Sequence, residues 1–156
     1  MDQEKFTKAY FSGLAGYFAP LGYEPKALLD GVLQGTVAMV KNDGGRTNEE
    51  VFWDTFTGLF GERVFADRKE FEKFYDTRFD DFRAACGYNP AAGETVKKLK
   101  GAGHTVVLAT NPVFPMNTQK RRLHWAGADE SDFALITSYE NSRACKPNVS
   151  YYEEIL

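Results

Sequence analysis

Apolar residues in the first half of the chain recur at steps of three and four. Phe6, Tyr10, Gly13, Leu14, Tyr17, Phe18 and Leu21 form one stripe, the spacing of a helix with a single buried face. Pro20, Gly22 and Pro25 interrupt it. A second helix is expected from Pro25 to about Val40, with Leu28, Leu29, Val32 and Val37 inward, before a turn at Asn42-Asp43-Gly44-Gly45. Thr47-Asn48-Glu49-Glu50 has the spacing of a capping box, so a third helix should start there and bury Val51, Phe52, Phe56 and Leu59. A fourth is expected from about Asp67 to Ala85 on the stripe Phe71, Phe74, Tyr75, Phe79 and Phe82. Four amphipathic helices joined by short connections pack as a bundle.

The period changes after Gly87. Asn89-Pro90 reads as a cap followed by a first-turn proline, opening a helix that buries Ala92, Val96 and Leu99 and ends at Gly101 and Gly103. The run His104-Thr105-Val106-Val107-Leu108-Ala109 is short for a helix. It reads as a strand covered on both faces, as in parallel sheets. A helix over about 115–126 and a second apolar strand, Phe133-Ala134-Leu135-Ile136, complete one βαβ unit. The expected division is a helical part over 1–87 and an α/β part over 88–156.

Composition narrows the function classes. Hydrophobic residues are 43% and charged residues 26% of 156, the usage of a folded domain. A net charge of -3 without a long run of one sign offers no footprint for nucleic acid or an anionic membrane. No apolar stretch reaches the roughly 20 residues that span a bilayer. The start, Met1-Asp2-Gln3-Glu4-Lys5, lacks the order of a signal peptide. Cys86 and Cys145 have no metal-ligand spacing, and His104 and His124 do not supply one. The expected setting is the cytoplasm, with both thiols reduced.

Chemistry is suggested at two places. Thr110 and Asn111 follow the first strand, at the carboxyl end where open α/β sheets bind ligands. Cys145-Lys146-Pro147 opens what reads as a helix. The Thr110 hydroxyl and the Asn111 backbone N–H can donate to one phosphate oxygen, and Lys146 adds a point charge suited to a phosphoryl group. The plainer readings are a strand-end turn former for Thr110 and a solvated surface lysine for Lys146. Asp76, Asp80 and Asp81, like Lys120, Arg121 and Arg122, read as solvated faces. Cys145 beside Lys146 has no histidine placed by sequence to serve as its base.

Taken in order, Val106-Val107-Leu108-Ala109-Thr110-Asn111 and Lys146-Pro147 resemble the second and third motifs of the haloacid dehalogenase (HAD) superfamily of hydrolases. The stretch from Asn89 to His104 is similar to the helix and turn leading into that family's second-motif strand. The first half is similar to its inserted helical cap. The resemblance implies an incomplete Rossmann-like α/β core of parallel strands plus an all-helical cap. It implies a Mg²⁺-dependent phosphohydrolase acting on a small phosphorylated metabolite through an aspartyl-phosphate. Thr110 and Lys146 would be catalytic residues, and Thr110, Asn111 and Lys146 would bind substrate. The family's first motif, Asp-x-Asp-x-Thr, does not occur in the sequence, and Asp2 is a poor substitute without a strand to hold it. The acidic fourth motif is expected beyond Leu156. The chain alone is therefore expected to be inactive, with a non-catalytic anion-binding or association module as the alternative. Without its neighbour, the strand carrying Thr110 would expose an edge suited to self-association.

Overall fold

The structure, a computed structural model, describes residues 3–156; Asp2 lies outside the described residues. Helix α1 runs Gln3–Phe18 and buries Phe6, Tyr10, Leu14 and Phe18. Helix α2 runs Pro25–Val40, with the Glu24 carboxylate accepting from the backbone N–H groups of Lys26 and Ala27. Helix α3, Asn48–Phe60, starts with both bonds of the capping box between Thr47 and Glu50 in place. The inward positions differ in part from the expected stripes. Val37 and Leu59 are exposed, whereas Gly31 and Gly35 of α2 are buried. A Cβ on Gly31 would sit 2.6 Å from the Phe60 ring, and one on Gly35 would sit 2.5 Å from the Phe52 ring. These two small residues let the phenylalanines of α3 pack directly against the α2 backbone.

Helix α4 runs Arg63–Thr77, and the chain then tightens into a 3₁₀ helix over Phe79–Ala85. The three-residue period aligns positions i and i+3, so Phe79 and Phe82 both point inward, 0% and 5% exposed. Rings dominate the interior of this half. Phe18 stacks on Phe71 at 4.0 Å, and Phe56 and Trp53 meet Phe71 edge-on.

Helix α5, Ala91–Gly101, leads to strand β1, Val107–Leu108. Helix α6, Met116–Trp125, and strand β2, Leu135–Ile136, follow, and helix α7, Val149–Glu153, ends the chain. Strands β1 and β2 are parallel, with Val107 opposite Leu135 and Leu108 opposite Ile136.

The expected Rossmann-like core is not found. The molecule is mostly helical, and the sheet among the described residues has two strands of two residues each. Among the described residues β1 has one neighbour, and the two pair in regular ladder register over two residues only. Val107 and Leu108 are accordingly half-buried rather than covered on both faces. The same shortage of sheet leaves Leu99 of α5 exposed.

One hydrophobic cluster crosses the expected boundary, joining the rings of α1–α4 to Trp125, Tyr139 and Cys145. A smaller cluster forms under the sheet around Leu123, Ala128 and Ile136. The acidic turn read as solvated helps join the halves. Asp80 pairs with Arg121 and accepts from the Trp125 indole at 2.9 Å, and Asp76 accepts from Asn117 at 2.6 Å. No helix among the described residues is long and apolar enough to cross a membrane.

Candidate functional site

Two loops make the site. One follows β1 and runs from Thr110 to Pro115; the other precedes α7 and carries Cys145 and Lys146. Asn48, at the start of α3, holds both. Its amide nitrogen faces the carbonyls of Pro112 at 3.2 Å and Ala144 at 3.3 Å and the Cys145 sulfur at 3.4 Å. Its oxygen accepts from Asn42 at 2.8 Å. The first backbone N–H groups of α3, those of Asn48 and Glu49, donate to the carbonyls of Ser142 and Tyr139 at 2.8 Å each. Helix-start donors that lack partners within the helix thus fix a loop far away in sequence.

With the loops held, Lys146 reaches the end of β1. Its ammonium donates to the Ala109 carbonyl at 2.7 Å, and its backbone N–H donates to Asn111 Oδ1 at 3.1 Å. The Tyr151 ring lies under the ammonium, its centroid 5.6 Å away. Thr110, Asn111 and Lys146 are therefore neighbours. An ammonium has three donors, and one is on Ala109, so two remain for an anion.

The Thr110 hydroxyl has partners of its own. It accepts from Gln119 Nε2 at 3.0 Å and lies 3.2 Å from both the carbonyl and the hydroxyl of Thr137. Its backbone N–H donates to Thr137 Oγ1 at 2.9 Å, and its carbonyl accepts from the Tyr151 hydroxyl at 2.5 Å. A hydroxyl has one proton, which here goes to Thr137, so donation to an anion would require it to turn.

Thr110 and Asn111 form part of the wall of a cavity of about 510 Å³ between the loop and helices α1, α2 and α3. Arg122 lines it as well, with its guanidinium 5.7 Å from the Phe6 ring centroid and 5.9 Å from that of Phe114. Burial lowers its pKa from the ordinary value, with Cys86 opposing; a guanidinium remains charged nonetheless. The expectation of a solvated basic turn holds for neither Arg121, bonded to Asp80, nor Arg122. Arg122 follows the buried Thr118 and Gln119 by one helical turn, the one signal that could have placed it inward.

Cys145 is buried, and burial pushes its thiol up to about 11, with Asn48 partly offsetting this. That is the environment of an inert thiol, not a nucleophile. Magnesium prefers carboxylate and other oxygen ligands. Among the described residues no three His, Cys, Asp or Glu side chains cluster to hold a metal, and no carboxylate lines the cavity. The residues present do not fit that ion. No protein-family model, curated protein or solved structure matches the chain.

Proposed function

We propose that this chain binds the phosphate group of a small phosphorylated molecule at Asn111 and Lys146, and that it is a HAD-like phosphohydrolase relative without turnover of its own. The reading rests above all on the meeting of two loops remote in sequence, with the Lys146 ammonium 2.7 Å from the Ala109 carbonyl. A phosphate oxygen beyond the end of β1 would accept from the two remaining ammonium protons and from the Asn111 backbone N–H. Arg122 adds positive potential from the cavity wall. Gln119 and Thr137 hold Thr110 in place beneath the anion.

Binding without hydrolysis is favoured by the side chains around the site. A phosphoryl transfer needs a nucleophile or an activated water. The described lining of the cavity offers hydroxyls, amides and an arginine, but no carboxylate to serve as nucleophile or base.

The test has two parts. Titration calorimetry with inorganic phosphate should give binding that Lys146→Ala weakens by about tenfold, the loss of one charge-assisted contact. Release of nitrophenol from nitrophenyl phosphate, with Mg²⁺ present, should match the buffer rate. Hydrolysis lost in Lys146→Ala would overturn the non-catalytic reading, and phosphate binding indifferent to Lys146 would overturn the site.

A further inference from the structure

The cavity beside the Thr110–Pro115 loop is much larger than a phosphate needs. Phe6, Phe11, Phe52 and Phe114 face a space of about 510 Å³, within the range of sites for drug-sized organic molecules. Ring walls favour a flat apolar occupant, which they contact by stacking and edge-on packing.

The polar lining of this space includes hydrogen-bond donors. Trp53 is 8% exposed, and its indole Nε1 is the one buried side-chain nitrogen or oxygen without a hydrogen-bond partner among the described residues. Burial raises the pKa of the Tyr139 hydroxyl, and the neighbouring Trp53 indole opposes that rise. Both residues line the cavity. The hydroxyls of Tyr10 and Tyr75 pair at 2.8 Å; that bond takes one of their two protons and leaves the other for an acceptor. Buried donors are ordinarily matched, so an occupant with an acceptor oxygen at Trp53 and Tyr139 would complete the set.

We propose that the cavity holds the ring system of an aromatic phosphate monoester bearing a carbonyl-type oxygen, with the ring among the phenylalanines, the oxygen at Trp53 and Tyr139, and the phosphate at Asn111 and Lys146. This rests on the phosphate reading above and adds the substrate class.

Calorimetry on the full chain would compare inorganic phosphate, naphthyl phosphate, methylumbelliferyl phosphate and the free phenol methylumbelliferone. Both aryl esters should bind about tenfold or more tightly than inorganic phosphate. The coumarin carbonyl should add about a further threefold that Trp53→Phe removes, while naphthyl phosphate binding is unchanged. Leu33 lines the cavity from a surface position, 46% exposed, so Leu33→Trp should block the ring without unfolding the protein. It should abolish the aryl advantage and leave inorganic phosphate binding intact. Aryl esters no tighter than phosphate, or an advantage that survives Leu33→Trp, would overturn the cavity assignment. A carbonyl advantage indifferent to Trp53→Phe would overturn the placement of the oxygen. Binding of methylumbelliferone with none of inorganic phosphate would uphold the aromatic cavity and overturn the phosphate reading.

Discussion

Asn48 has no exposed surface, and its side chain meets Asn42, Pro112, Ala144 and Cys145. The amide group suits this place because its nitrogen donates to two carbonyls while its oxygen accepts from Asn42. Asn48→Asp keeps the shape and turns the donor into a second acceptor facing those carbonyls. It should destabilise the fold by about 3 kcal/mol, more than Asn48→Ala, because it sets a buried charge, with no opposite charge beside it, against two carbonyl oxygens. Urea melts of the two variants check the order, and an Asp variant as stable as the parent would refute the amide assignment. Nothing in the sequence around Asn48 signals this role. It reads there as the first residue after a helix cap, and only the distant loops make it a junction. Thr110 is a similar case: its position at a strand end was legible, but its bonds to Gln119 and Thr137 were not.

Among the glycines, Gly93 of α5 lies closest to another stretch of backbone. A Cβ on Gly93 would lie 2.1 Å from the Gly127 carbonyl oxygen. Backbone cannot swing aside as a side chain can, so Gly93→Ala should cost about 1–3 kcal/mol through overpacking. Gly16, inside α1, is the control, because a Cβ there would meet nothing within 4 Å. Gly16→Ala should be neutral or stabilise by about 0.5–1 kcal/mol through the backbone alone. Thermal melts separate the two, and equal effects would mean that α5 does not pack so closely on the Gly127 turn. Helices α1 to α3 were readable because cap, period and breaker act within a few residues of one another, whereas the fourth, expected from about Asp67 to Ala85, starts at Arg63 and gives way to the 3₁₀ turn after Thr77. The strands were not readable at their true length, since the run from His104 to Ala109 forms ladder bonds only where β2 lies beside it.

For the whole molecule, the ring-rich cluster running from α1 to Trp125, Tyr139 and Cys145 places several weak acids out of water. Burial raises the Cys145 thiol from 9.0 to about 11. It raises the Tyr23 hydroxyl, bonded to Asp67, and the Tyr75 hydroxyl from 10.0 to about 12. Each is an acid whose neutral form is favoured in the fold. Their contribution is complete below the unfolded values of 9.0 and 10.0 and is lost as pH rises through about 11 and 12. The melting temperature should therefore hold steady from neutrality to pH 9.0 and fall above it. Cys145→Ala should flatten the early part of that decline. A melting temperature independent of pH across this window would contradict the burial of these groups.

The amino-acid order by itself determined helices α1 to α3 and the capping box of α3, because those features depend on residues a few positions apart. The fourth helix instead ends at Thr77, α5 has Pro90 at its cap position, and α7 starts at Val149. The amino-acid order also supplied Thr110, Asn111 and Lys146 as candidates. Only the tertiary structure decided that β1 has a single neighbour and that Arg122 turns inward. It alone left the Trp53 indole facing a ring-walled cavity. These outcomes depend on which distant segments come to share one interior, and no local pattern encodes that.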